Sequence, residues 1–316
     1  MLNQSPDHVR RVTCIGAGPI GGGWAASFLA QGFQVTSYLH EATEYDALMR
    51  LLESAWTSLE QIGLAQGASM DNFNWTTDLE EATADCEFIQ ESIPEILQLK
   101  QGLYKTLGDM VDPQVVIASS TSGLSMTDIQ ADCATPERTV VAHPFNPPYL
   151  LPLVEMIGGK KTSQETIAWA EKFYRSAGKK PLVMTKEVPG FIATRLQEAI
   201  WREALHMVAN GEATVAQIDQ AVVNGPGPRW ALMGPCEIFH VGGGEGGMAY
   251  CLDQFGPALK LPWTRLVAPE LTDQLRKAMI DGCIEMTDGQ DFTSLSKKMN
   301  DGLVEIAKLK QKLNSN

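Results

Sequence analysis

Cysteine is scarce in this chain of 316 residues: there are six cysteines, and no two of them stand in a C-x-x-C pair. That scarcity argues against a structural zinc site or a disulfide framework, so we expect no metal site and a reducing, cytoplasmic setting. Long apolar runs are missing as well. No stretch reaches the roughly 18 residues needed to span a membrane, and the N-terminal sequence MLNQSPDHVRR lacks the apolar core of a secretory signal. We therefore expect neither a membrane protein nor a secreted one.

Positive charge is also in short supply, with 25 lysines and arginines against 38 aspartates and glutamates and a formal net charge of −13. A surface of this sign repels phosphate groups, so neither nucleic acid nor an anionic membrane is an expected partner. The remaining composition, 44% hydrophobic and 20% charged, is that of an ordinary globular protein long enough for two domains.

Short apolar runs of strand type alternate with helical patterns in the first half of the chain, beginning with RVTCI at residues 11–15. This alternation predicts a Rossmann-type, doubly wound parallel sheet with helices on both faces. From Gly190 onward helical periodicity dominates, as in IATRLQEAIWREALHMV, and clear strand patterns cease. We therefore predict an α/β domain over residues 1–187, followed by an all-helical domain over 188–316.

A glycine-rich turn, Gly16-Ala-Gly18-Pro19-Ile20-Gly21, stands directly after the first strand and directly before a helix. In such a turn the glycines allow a tight bend, a close approach to a pyrophosphate and close packing of helix on strand. The N-terminus of the helix adds free N–H groups and a partial positive charge. The turn therefore predicts that the first domain binds a dinucleotide; a purely structural turn is the alternative.

The acidic residue that usually accompanies this turn is missing. In this fold an aspartate or glutamate ends the second strand and binds the adenosine ribose, but here Leu39 occupies that place. Glu41 and Glu44 follow closely enough to substitute for it, and no arginine stands there to receive a 2′-phosphate. NAD is therefore predicted as the cofactor over NADP.

Three further segments carry residues suited to proton transfer. The turn 119–123 (SSTSG) follows a strand, and in an open α/β sheet the carboxyl ends of the strands face the ligand crevice. His143 opens the proline-rich segment HPFNPP, and an imidazole that titrates near neutral pH can take the proton of an alcohol and return it. Glu155 stands inside the apolar strand LVEMI, where a buried carboxylate needs a partner. The structural alternatives are a polar helix-capping turn, a hydrogen-bonded histidine and a structural salt bridge.

Six segments resemble the 3-hydroxyacyl-CoA dehydrogenase superfamily in their order and spacing over nearly the whole chain: GAGPIG, QESIPE, SSTSG, HPFNPP, LVEMIGG and EVPGFIATRL. The resemblance implies NAD-dependent oxidation of a 3-hydroxyl group, with His143 as the catalytic base and Glu155 as its partner. It implies that Ser122 contacts both substrate and nicotinamide, and that the protein is a homodimer joined through its helical domain. It also implies three residues that line the NAD site: Glu95, Lys100 and Asn146.

Other segments, such as PRWALMG, are most similar to the branch of the superfamily that oxidises L-carnitine to 3-dehydrocarnitine. The relatives keep an arginine at the position of Arg229, whose planar guanidinium fits a free carboxylate; a surface arginine is the alternative. Thr194 stands where the family has asparagine or aspartate and is the expected polar substrate contact. Three aromatic residues could form a box for a trimethylammonium group, although aromatic residues of a helical domain commonly belong to its core: Trp201, Trp230 and Phe239.

Three alternatives compete with the oxidation of L-carnitine. A 3-hydroxyacyl-CoA thioester is disfavoured because the chain ends in the helical pattern DGLVEIAKLKQKL, without the lysine-, glycine- and aromatic-rich tail of the CoA-acting members. An L-gulonate-type acid is the second, from a more distant branch that includes a lens crystallin. The third is a non-catalytic, crystallin-like role with NAD bound, against which the intact set of Ser122, His143 and Glu155 argues.

Overall fold

The computed structural model describes residues 5–255, 272–286 and 292–314, together with the single residues 257, 264, 270, 288 and 290 between them. The chain divides into two compact units, Met1–Thr194 and Arg195–Asn316. The part predicted as the α/β domain, 1–187, falls wholly within the first unit. No helix among the described residues is long and apolar enough to cross a membrane.

The first unit is built on one sheet of eight strands, in the order β3-β2-β1-β4-β5-β6-β7-β8. Neighbouring strands run parallel, except that β7 runs antiparallel to β6. The strands are β1 (Arg11–Ile15), β2 (Gln34–Tyr38), β3 (Phe73–Thr76), β4 (Phe88–Glu91), β5 (Val116–Ser119), β6 (Thr139–Pro144), β7 (Leu153–Ile157) and β8 (Lys180–Val183).

Helices cover both faces of this sheet, which confirms the predicted Rossmann-type fold. They are α1 (Pro19–Ala30), α2 (Tyr45–Ile62), α3 (Leu79–Thr83), α4 (Leu97–Met110), α5 (Met126–Ile129) and α6 (Gln164–Ser176). One core cluster joins α1, α2 and α6 to one face of the sheet, and a second joins α4 and α5 to the other. Strands β5 and β6 are buried at every position, as expected for parallel strands covered on both sides.

Two features of the sheet were not predicted. Strand β3 escaped notice because it is a short edge strand, FNWT, whose residues are only partly buried or exposed. The antiparallel direction of β7 was also missed, since the apolar run LVEMI carries no information on direction. Its direction matters for the site, because it places Glu155 directly opposite His143 across the β6–β7 pair.

The second unit is all-helical over its described residues, which confirms the predicted change of class. Helix α7 (Ala193–Ala209) leads into it, followed by α8 (Val215–Asn224), α9 (Pro226–Trp230), α10 (Pro235–Gly242), α11 (Gly247–Phe255), α12 (Asp273–Met286) and α13 (Phe292–Asn314). Within the unit α8 packs against α9 and α12, and α10 packs against α11.

Candidate active site

The glycine turn between β1 and α1 has the geometry of a dinucleotide cradle. Gly16 has a φ of 111°, and a Cβ atom there would lie 2.7 Å from the carbonyl oxygen of Ser92. A Cβ atom at Gly21 would lie 1.9 Å from the Gly16 oxygen, so helix and strand meet too closely for any side chain. At Gly18 the same position has nothing within 4 Å. The turn is thus closed on the protein side and open at Gly18, where a pyrophosphate can approach the backbone.

Helix α1 begins at this turn and supplies the groups that an anion needs. Gly18 is its N-cap and Pro19 its first residue, so the missing N–H of proline removes no helical hydrogen bond. The first-turn N–H groups that follow have no intrahelical acceptor and carry the positive end of the helix dipole. Ile20 packs its side chain against the core, which fixes the start of the helix. The residues present therefore fit a bound dinucleotide.

At the end of β2, Leu39 stands where this fold usually has the acid that binds the adenosine ribose. Leu39 is fully buried in the core, and its N–H donates to the Thr76 oxygen at 3.0 Å. The Glu44 carboxylate accepts from the N–H of His40 at 2.8 Å and of Glu41 at 3.3 Å. The Glu41 carboxylate in turn accepts from the backbone of Glu44. Both candidate substitutes therefore hydrogen-bond to the backbone of their own turn. Their two carboxylates lie just after β2, where this fold binds the adenosine ribose, and would repel the 2′-phosphate of NADP.

A single carboxylate holds the turn that carries Ser122. Glu95 Oε1 accepts from the Thr121 hydroxyl at 2.6 Å and from the N–H groups of Ser122 at 2.9 Å and Gly123 at 3.2 Å. The Ser122 hydroxyl lies 3.4 Å from the same oxygen. Partial burial disfavours the charge, but the Thr121 hydroxyl, Lys100 and the two N–H groups together lower the pKa of Glu95. An anion therefore anchors this exposed turn to the segment after β4.

Behind Glu95 lies a buried ion pair. The Lys100 ammonium is 2.6 Å from Glu91 Oε1 and 3.6 Å from Glu95 Oε2. The second Glu91 oxygen accepts from the Ser119 hydroxyl at 2.6 Å. Because the Lys100 side chain is 1% exposed, it supports the site through the two carboxylates. Glu91 was missed in the sequence; an acid that ends a buried strand, in QESIPE, was the available signal.

His143 and Glu155, the predicted base and its partner, form a buried hydrogen-bonded pair. They are register partners across β6 and β7, and His143 Nδ1 lies 3.1 Å from Glu155 Oε2. The other carboxylate oxygen accepts from the N–H groups of Ile192 and Ala193, each at 2.8 Å. Burial disfavours the charge of Glu155, but these three donors, His143 first, lower its pKa. An ionised carboxylate only accepts, so Nδ1 is the nitrogen that carries a proton toward Glu155, and a neutral ring in this arrangement has its lone pair on Nε2.

Two phenylalanines flank the histidine ring. The ring centroid of Phe145 lies 5.4 Å from that of His143, and the centroid of Phe191 lies 5.5 Å from it. Phe191 has a φ of 51°, in the left-handed region that is uncommon for a residue with a side chain. That conformation directs the chain into the N–H pair that binds Glu155. Phe191 was not predicted as a site residue, and nothing in EVPGF besides its glycine indicated it.

The remaining predicted residues divide between the two units. Asn146 is exposed in the segment after β6, and Thr194 is half-buried in the first turn of α7; both belong to the first unit. Arg229 and the aromatic candidates belong to the second unit, where all of them are exposed. Their roles toward substrate stay predictions, as do those of the cofactor residues. The second-unit candidates lie on three helices, with Trp201 on α7, Arg229 and Trp230 on α9, and Phe239 on α10.

Comparison with known proteins agrees with this geometry. Residues 11–188 match the family model of the 3-hydroxyacyl-CoA dehydrogenase NAD binding domain, and residues 190–280 match that of its C-terminal domain. L-Carnitine dehydrogenase of Streptomyces coelicolor is 56% identical over 302 residues, covering 96% of this chain and 95% of that protein. The enzyme of the same name from Bacillus cereus is 48% identical over 310 residues, covering 98% of this chain and 95% of that protein.

Among solved structures, one similar chain is 5-formyl-3-hydroxy-2-methylpyridine 4-carboxylic acid 5-dehydrogenase, described as an NAD+ dependent dismutase. It is 27% identical, with a TM-score of 0.81 over 95% of this chain and 98% of its own. The likeness therefore extends over both units of this chain. The similar protein also uses NAD.

Proposed function

The chain belongs to the 3-hydroxyacyl-CoA dehydrogenase family, and we propose that it oxidises the 3-hydroxyl group of L-carnitine to the ketone of 3-dehydrocarnitine with NAD. Two lines of support are independent of each other. The substrate rests on relatives of that activity that share about half of their residues with this chain over nearly its full length. The reaction type rests on the buried pairing of His143 with Glu155, which is the observation that carries the proposal.

Proton transfer is the task of His143. Since Nδ1 is committed to Glu155, the free Nε2 accepts the proton of the substrate hydroxyl. The imidazolium that forms keeps its Nδ1–H on a carboxylate that stays ionised, because its donors lower the pKa of Glu155. General-base catalysis of this kind contributes roughly a hundred- to ten-thousand-fold. NAD, when bound, supplies the acceptor for the hydride that leaves the carbon bearing this hydroxyl group.

Ser122 is proposed to bind the substrate oxygen. Strands β5 and β6 are parallel neighbours, so the turn that carries Ser122 and the histidine lie at the same edge of the sheet. The Glu95 carboxylate holds that turn by two backbone N–H groups and the Thr121 hydroxyl, which fixes the serine before substrate arrives.

Substrate selection is proposed for the residues at and beyond the start of α7. Thr194 contacts a substrate oxygen, and Arg229 binds the free carboxylate of the acid through its two-point guanidinium contact. Aromatic faces attract a quaternary ammonium group, so the trimethylammonium end of L-carnitine is assigned to three residues: Trp201, Trp230 and Phe239.

We also propose that the protein works as a cytoplasmic homodimer joined through its helical unit. The support is the number of large apolar side chains that this unit exposes, among them Val223, Leu232 and Val241 at 59–65%. The cysteines that the structure describes are free thiols, in keeping with a reducing compartment.

A substrate comparison tests the proposal. The rate of NADH formation is followed by absorbance with L-carnitine, 3-hydroxybutyryl-CoA and L-gulonate in turn. We expect kcat/KM with L-carnitine to exceed the values for the other two substrates by at least about a hundredfold. A site built for a trimethylammonium group rejects ligands that lack this group. A higher value with the thioester or the sugar acid would replace L-carnitine as the substrate, and no turnover with any of them would favour the crystallin-like role.

A further inference from the structure

Lys179, the residue before β8, is buried without a carboxylate partner among the described residues. It is 8% exposed, and burial alone lowers the pKa of its ammonium group to about 7. Removing an ammonium group from water is costly unless the protein offers compensating contacts. A leucine or methionine would fill the same space at no such cost, so the position of this lysine calls for a functional reason.

The ammonium group has two contacts that answer the question. Its Nζ atom donates to the carbonyl oxygen of Pro148, and it lies 5.2 Å from the ring centroid of Trp24, over the ring face. Pro148 belongs to the segment between β6 and β7, and Trp24 belongs to α1. Lys179 therefore joins the loop that follows His143 to the helix that begins at the glycine turn.

Pro148 is held from its other side as well. A Cβ atom at Gly23 would lie 2.6 Å from Pro148 Cδ, so the proline ring packs directly on the backbone of α1. The Pro147 carbonyl accepts from the N–H groups of Leu150 and Leu151 at 3.1 and 3.0 Å, which closes the loop. Pro148, two residues after Asn146, therefore contacts α1 on one side and Lys179, just before β8, on the other.

Trp24 extends the contact to the neighbouring strand ends. Its indole N–H donates to the Ser120 hydroxyl at 3.2 Å. Ser120 Oγ also lies 2.8 Å from Ser92 Oγ and accepts from the Gln90 amide at 2.9 Å. The end of β4, the turn after β5 and the loop after β6 therefore meet in one partly buried polar network, which Lys179 joins through its contacts with Pro148 and Trp24.

We propose that Lys179 is a positioning residue: its ammonium group fixes the loop between β6 and β7, and with it Asn146 and the end of the strand that carries His143. The kinetic consequence rests on the proposed function. The consequence for dinucleotide binding does not, because the same loop packs on α1 whatever the substrate is. An apolar side chain in its place leaves the buried Pro148 carbonyl without a donor and the loop free to shift.

The test compares Lys179→Met with Lys180→Met, its exposed neighbour, as a matched control. Displacement of the loop by about 1 Å should lower kcat with L-carnitine at least about tenfold while KM changes less than threefold. The dissociation constant of NADH, measured by fluorescence titration, should rise at least about threefold. Lys180→Met should leave all three quantities within about twofold of wild type, since its side chain lies in solvent.

Three outcomes are decisive. A lysine with a merely structural role would give a lower melting temperature with unchanged kcat and NADH affinity in the folded protein, and that result overturns the proposal. If Lys179→Met does not fold, Lys179→Arg and Lys179→Gln replace it: arginine keeps a cationic donor and should recover NADH affinity better than glutamine, and equal affinity in both contradicts the proposal. Should the wild type not oxidise L-carnitine, the proposed function fails while the NADH titration still decides the role of Lys179.

Discussion

The two units of the chain differ in their aromatic side chains: among the described residues, those that are exposed belong to the second unit. In the first unit Trp24 and Phe28 are fully buried, within a core that covers both faces of the sheet. In the second, Trp201, Phe239 and Tyr250 are 48–56% exposed. The charged pairs of the first unit, Glu155 with His143 and Glu91 with Lys100, are also buried, whereas ion pairs of the second unit such as Lys297–Asp301 are exposed. This difference supports the proposed division of roles, in which the sheet unit holds the cofactor and the catalytic pair and the helical unit contributes substrate contacts and the dimer interface.

The largest effect should come from the sheet unit. His143→Gln removes the general base, so kcat should fall at least about a hundredfold while the dissociation constant of NADH stays unchanged. Steady-state rates and fluorescence titration measure the two quantities. Turnover within about threefold of wild type would assign His143 to structure and end the division of roles.

The helical unit should show the opposite signature. Arg229→Met removes the proposed partner of the substrate carboxylate, so KM for L-carnitine should rise at least about tenfold without a change in NADH affinity. Lys297→Met on α13 is the control, since that side chain is 74% exposed and lies in the same unit. An unchanged KM in Arg229→Met would place this arginine on the surface and leave the acid without a partner.

A smaller effect is expected at Glu95, which holds the Ser122 turn. Glu95→Gln keeps the shape but replaces a charged acceptor by a neutral one, and kcat should fall by roughly fivefold to tenfold. Glu60→Gln, an exposed change on α2, serves as the control. Equal rates for the two variants would show that the charge of Glu95 does not contribute to catalysis.

The smallest effect concerns stability at acid pH. Because the pKa of Glu155 is lowered in the folded protein, its ionised form stabilises the fold above the ordinary value of 4.5. That contribution is lost as the pH falls through the lowered value. The melting temperature of wild type should therefore exceed that of Glu155→Gln at about pH 6, and the gap should narrow steadily as the pH is lowered below 4.5. A constant gap would mean that the stabilisation does not depend on the charge of Glu155.

Much of the fold and part of the site could be predicted because the signals are local. The strand and helix patterns around the glycine turn predicted a Rossmann-type unit. The buried acid in LVEMI indicated only that Glu155 needs a partner, and the family resemblance identified that partner as His143. The antiparallel direction of β7 could not be predicted, although it sets the register of that pair. Leu39 could be recognised as a departure, but the use of Glu44 to close its own turn depends on side-chain geometry.

Contacts between distant segments account for the rest. Glu91 and Lys100 are nine residues apart, and their burial together follows from the packing of α4 on the sheet. Lys179 meets Pro148 and Trp24 from separate parts of the chain, so no pattern around SAGKKPLV indicated it. In the helical unit, periodicity predicted helices but could not separate core aromatic residues from exposed ones.

The most direct test of the central claim follows the hydrogen that leaves the substrate. L-Carnitine carrying deuterium on the carbon of its 3-hydroxyl group is incubated with the protein and NAD, and the reduced dinucleotide is analysed by mass spectrometry. The account predicts that the deuterium is found in the reduced dinucleotide and that 3-dehydrocarnitine accumulates with it. Reduced dinucleotide without deuterium, or no reduction with this substrate, would contradict oxidation of the 3-hydroxyl group by this chain.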